Sequence, residues 1–181
     1  VVATIAAGGV PEAAASDGKG RVYVNIEDLN EILVIDLASR KAVSHYPLAG
    51  CHEPTGMTYD AATGLLIPVC DNNIAKLIDA TTGTDKGSFA TGAGADSSLV
   101  DPKSPSGYVF CIDSILTIYK LDDKEQATVM QTVKTSDGVR TAAFDPVTDR
   151  VYLRAPTVER DAVGNYLRAD KNFSIVVVGQ N

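Results

Sequence analysis

Eight side chains in this 181-residue sequence have the types to do chemistry together: Glu12, Asn25, His52, Glu53, Thr55, Asp71, Asp96 and Arg140. Glu12, Asn25, Asp71 and Asp96 present oxygen donors, the hard set that calcium prefers. A cation held by them could polarise a carbonyl and activate a water, which is hydrolytic chemistry. His52 beside Glu53 could be a general base steadied by a carboxylate. Neighbours in an extended chain point to opposite faces, so that pairing needs the turn at Pro54 to fold them together. Thr55 and Arg140 complete a chemically diverse set, as a binding site would show and as solvated loop residues also show. The plainer reading is a polar rim bonded to backbone and water, with no resident metal or cofactor and calcium as the one candidate.

Other chemistries lack their signatures. The two histidines, His45 and His52, are too few for a histidine-rich metal centre, and His45 falls on an outer, surface strand. There is no Gly-x-Ser-x-Gly elbow, no phosphate-cradling glycine loop before a helix and no zinc spacing. Gly92-Ala93-Gly94 precedes a strand and reads as a turn.

The elements that must position these residues are short strands. Arg21–Asn25 is rich in β-branched and aromatic residues, and Ile32–Ile35 is an apolar run of buried-strand length. Asp17-Gly18-Lys19-Gly20 before them is a turn, with glycines free to take positive φ and an aspartate able to bond its own backbone. This pattern returns. The aspartates Asp17, Asp60, Asp101 and Asp145 stand 43, 41 and 44 residues apart, and Asp36 and Asp79 repeat the interval of 43. A period in the low forties with four strands per unit is the mark of propeller blades. The aspartates themselves read as turn formers.

The expected fold is therefore all-β: a single propeller domain over 1–181 with four-stranded antiparallel blades at about 8–50, 51–92, 93–135 and 136–181. The last blade lacks an outer strand, and Val1–Ala7 reads as an outer strand with no blade, so strand exchange is expected to pair them and close the edge. Pro68, in mid-strand without a ladder donor, predicts a bulge. Pro156–Asn172 reads as a polar insertion, either a recognition loop or a linker. The inner strands of a propeller line a channel. Glu12, Thr55, Asp96 and Arg140 each lie five residues before a repeated aspartate and so fall at its mouth.

The units resemble YVTN-type repeats of the YncE-like β-propeller family. The likeness rests on Pro11–Val43, with its Arg-Val-Tyr-Val-Asn and Val-Ile-Asp strands, on Pro54–Gly83, and on Asp145–Leu153, while the third unit departs in its turn and second strand. The resemblance implies a ring of six to eight blades. Four in this chain then mean a segment of a larger ring, two copies sharing an eight-bladed ring, or a four-bladed ring. It also implies a periplasmic or secreted location. It is specific for fold and weakly so for activity.

Function is expected to be a non-enzymatic scaffold that binds a protein, peptide or small ligand at the rim or channel mouth. The alternative is a metal-dependent lactonase or hydrolase using the channel carboxylates. A third reading, DNA binding, is disfavoured by the formal charge of −7, since a phosphate backbone demands clustered cations. No apolar run approaches the roughly 20 residues of a membrane helix, and the chain starts at Val1 without a signal-peptide pattern. Cys51, Cys70 and Cys111 have no metal-like spacing and read as buried thiols, with a Cys70–Cys111 disulfide as the alternative.

Overall fold

A computed structural model describes residues 1–164 and 166–179. Its fifteen strands form four antiparallel sheets, and the one helical element among the described residues is the 3-10 turn Glu27–Leu29. Blade 1 is β1 (Pro11–Ser16), β2 (Arg21–Ile26), β3 (Glu31–Asp36) and β4 (Lys41–Pro47). Blade 2 is β5 (Pro54–Asp60), β6 (Leu65–Cys70), β7 (Ile74–Asp79) and β8 (Asp85–Ala90). Blade 3 is β9 (Ala95–Val100), β10 (Ser106–Cys111), β11 (Ile115–Leu121) and β12 (Ala127–Lys134). Blade 4 is β13 (Ala142–Asp145), β14 (Arg150–Arg160) and β15 (Tyr166–Val178). In every blade the strands pair in chain order, and the inner strands β1, β5, β9 and β13 touch in series. That is the arrangement of consecutive propeller blades.

The repeated aspartates build the turns. Asp17 accepts the Lys19 and Arg21 N–H groups at 2.7 and 3.0 Å, Asp101 accepts that of Lys103, and Asp145 that of Val147. Asp60 takes the Thr63 N–H and hydroxyl. Asp36 and Asp79 do the same for the outer turns through Ser39 and Thr82. Each turn delivers an apolar strand to the gap between two blades. Tyr23, Ile32 and Val34 of blade 1 pack on Met57, Leu66 and Ile78 of blade 2, and Leu65, Ile67 and Leu77 on the other face of blade 2 pack with Val109 and Tyr119 of blade 3. A middle blade is thus covered on both faces, which is why β6 reads Leu-Leu-Ile-Pro-Val-Cys without alternation and is buried throughout. The last gap is filled by Phe110 and Leu116 against Val151 and Leu153.

Four expectations are corrected. Val1–Ala7 forms no strand and does not complete blade 4, whose sheet has three strands; the segment runs past blade 1, where the Arg40 guanidinium donates to the Val2 carbonyl at 3.3 Å. The disulfide joins Cys51 to Cys70, with Cα atoms 5.5 Å apart, and Cys111 is the buried free thiol. Cys70 ends β6 opposite Pro54, so the residue within reach is on the approach to the same blade, and Cys111 faces the next interblade core. Pro68 carries no bulge: β6 keeps one register on β7 from Leu66↔Ile78 to Val69↔Ala75 and skips the pairs between. Pro156–Asn172 is for the most part strand, since β14 and β15 continue as a long hairpin with Cα partners Val158↔Ala169 and Arg160↔Tyr166. Asn165 of that stretch, and Gln180 and Asn181, lie outside the described residues.

Candidate functional site at the channel mouth

The inner strands are not smooth where they begin. Register slips between Pro11 and Ala14 in β1, between Pro54 and Met57 in β5, and between Ala95 and Ser97 in β9. A bulge inserts an unpaired residue and re-aims its side chain. Glu12 with Ala13, Thr55 with Gly56, and Asp96 lie inside these three bulges. Arg140 occupies the matching place two residues before β13. The bulge expected at Pro68 is found in the facing strand.

Neighbouring blades hold these bulges in place. Asn25, fully buried, donates its one amide group to the carbonyls of Thr55 and Gly56, each at 3.0 Å. Thr55 donates its hydroxyl to the Ala95 carbonyl of blade 3 at 2.5 Å. Gly56 has to be glycine, because a Cβ there would lie 2.5 Å from Ser97 Cα. Asn25 and Thr55 are therefore interblade latches, and the structure takes both out of the set of groups free to meet a ligand.

Asp96 and Arg140 come together, Nη1 to Oδ1 at 3.4 Å, with the carboxylate one quarter exposed and the guanidinium half exposed. Burial pushes the Asp96 carboxyl above its ordinary range; Arg140 opposes that shift and the Glu12 charge adds to it. Glu12 and Asp96 thus sense each other across blade 2. Their common location follows from the bulges.

Glu27 and Asp28 belong to the same end of the molecule and escaped the sequence reading. Burial raises the Glu27 carboxyl, and the charges of Glu12, Glu53, Asp28 and Asp71 raise it further. Asp28 accepts the Val10 N–H at 2.7 Å, tying the approach to β1 to the loop after β2. The available signal was topological: in an antiparallel blade the loop into the first strand and the loop between the second and third open on one face. His52 and Glu53 are exposed there, and their backbone N–H groups donate to Asn72 Oδ1 and Asn30 Oδ1. Asp71, also exposed, donates its own N–H to the His52 carbonyl at 2.9 Å. The Cys51–Cys70 disulfide clamps the base of both segments. Glu53, at φ 47, occupies the left-handed region. Among the described residues no three carboxylate, histidine or cysteine groups converge as a metal site would.

With this geometry in view, the class is defined: the chain is a β-propeller segment. No protein-family model and no curated protein matches the sequence. Among solved structures, hydrazine synthase of Kuenenia stuttgartiensis is similar at a TM-score of 0.76 and 13% identity, over 93% of this chain and 46% of that one. The chain spans just under half the length of that neighbour. At this identity the likeness speaks for the fold alone.

Proposed function

We propose that this protein is a YVTN-type, YncE-like propeller that works as an interaction scaffold, taking a protein, peptide or small ligand with a positively charged group at the channel mouth. The observation supporting this is the half-buried Asp96, placed by its bulge beside one cation, Arg140, and within the field of Glu12. Glu27, Asp28, Glu53 and Asp71 extend the negative field over the same face, and a mouth of one sign focuses ligands of the other. Nucleic acid is disfavoured on the same ground. The buried disulfide supports a periplasmic or secreted location, where oxidised pairs persist.

Calorimetric titration tests the reading with two short peptides of equal length, one rich in lysine and one rich in glutamate. The lysine peptide should bind, with affinity falling as salt rises, and Glu12→Gln with Asp96→Asn should weaken it at least tenfold. Equal binding of both peptides, or none of either, would end the proposal.

A further inference from the structure

Residues 156–172 set blade 4 apart from the other three. β2, β6 and β10 hold six residues each, whereas β14 holds eleven and β15 thirteen. The loop between the second and third strands of a blade opens on the mouth face, so the surplus stands out from that face as a hairpin. Its Cα pairing runs on from Pro156↔Phe173 to Arg160↔Tyr166.

The hairpin carries an edge on the channel side. β13 covers β14 only from Asp145↔Arg150 to Ala142↔Leu153, after which the Arg154 N–H reaches the Thr141 carbonyl at 3.2 Å. Two residues on stands Pro156, buried and with no N–H to give. Above it, among the described residues, β14 pairs with β15 alone. The sheet order β13-β14-β15 places that open side toward the channel, since β13 is the innermost strand. The register of the hairpin slips twice, and β15 takes the surplus both times. Thr157 stands opposite the three residues between Ala169 and Phe173, and Leu167 is the extra residue between Tyr166 and Arg168. β14 therefore runs without insertion through residues 157–160, a stretch about 13 Å long. Thr157 is exposed there and Val158 half-buried. An unpaired edge of this kind is a template for another strand.

At the foot of the edge lies the acidic mouth. Thr141 stands opposite Arg154, so Arg140, one residue earlier, stands level with Ala155, and Val139 and Ala155 share one apolar cluster. The Arg140 guanidinium is 3.4 Å from Asp96, a carboxylate one quarter exposed. We infer that the ligand of this mouth is an extended peptide, added as a strand to residues 157–160 of β14, with a lysine or arginine at its lower end on Asp96. The inference rests on the charge reading of the mouth and adds the form of the ligand. Charge complementarity selects a cationic peptide. Main-chain bonds along the edge give the affinity, and side chains at alternate positions give the selectivity. A small amine would reach Asp96 and leave the edge unused.

Calorimetric titration of the 181-residue chain tests it, with the lysine-rich peptide and two copies of it N-methylated at alternate residues, one copy in each phase. Along an antiparallel edge only every second amide of the added strand faces its partner. One methylated copy should therefore bind at least tenfold more weakly than the parent peptide and the other within threefold of it. Replacement of residues 157–172 by Asn-Gly gives the pair Pro156↔Phe173 a two-residue turn. This shortened chain should lose at least tenfold in affinity for the parent peptide while still melting cooperatively. Equal binding of the two methylated copies, or full affinity in the shortened chain, overturns strand addition and leaves the charge reading standing. No binding of the parent peptide overturns both.

Discussion

The buried amide of Asn25 grips the carbonyl of Gly56, one blade away, at 3.0 Å. With the Thr55 carbonyl it fixes the bulge at the start of the second blade's inner strand. Asn25→Ala leaves two carbonyls without their donor in a dry gap, at a cost of about 1–3 kcal/mol. The urea midpoint should fall while the slope stays constant. A midpoint unchanged by the substitution would show that the latch contributes nothing.

Gly56 stands against backbone, which no rotamer change can move. Gly56→Ala must push the inner strands of blades 2 and 3 apart, since the new Cβ would lie 2.5 Å from Ser97 Cα. Overpacking of this kind costs about 1–3 kcal/mol. Thermal melting should show the loss, and the neighbouring Gly50→Ala, where nothing lies within 4 Å but φ is 78, separates backbone strain from crowding.

The disulfide spans a sequence separation of 19 and closes the loop carrying His52 and Glu53. Cys51→Ser with Cys70→Ser should lower stability by about 3 kcal/mol on the chain-entropy account, and reductant should reproduce the effect in the parent protein. The Cys111 thiol, by contrast, is pushed up to about 12, first by burial and then by the Asp113 charge. The thiolate is the reactive form, so a thiol reagent at neutral pH should count no free cysteine in the native protein and one after unfolding.

Asp96 and Asp145 should titrate with opposite consequences. Burial raises Asp96, so the folded state binds its proton more tightly than the unfolded state does. Its contribution is best below the ordinary value of 3.8 and declines as pH rises through the folded value. Asp96→Asn should therefore raise the melting temperature at pH 7 and leave it unchanged at pH 2.5. Asp145 is lowered, by the Thr148 hydroxyl first and then the Val147 N–H. Its contribution is present above 3.8 and is lost as pH falls through the folded value, so Asp145→Asn should destabilise at pH 7 and be silent at low pH. The same sign for both variants at pH 7 would refute this assignment.

What the sequence determined by itself was the repeat. Aspartates at intervals near 43, glycine turns and apolar runs of strand length are local features, and local hydrogen bonding realises them, as Asp17 and Asp60 show on their own turns. The candidate positions Glu12, Thr55, Asp96 and Arg140 were legible for the same reason, because a fixed offset from a repeated turn is a fixed place in a blade. Tertiary structure decided what each of them does. Asn25 and Thr55 point into the next blade and are consumed as latches, Asp96 meets Arg140 across an interblade gap, and Glu27 joins the mouth through a loop that the sequence left without a role. The choice between Cys51 and Cys111 as the partner of Cys70 was decided within one blade, by the approach to β5 lying opposite the end of β6. The latches and the Asp96–Arg140 pair depend instead on which blade stands next to which, a relation between segments 30 to 44 residues apart that no local pattern encodes.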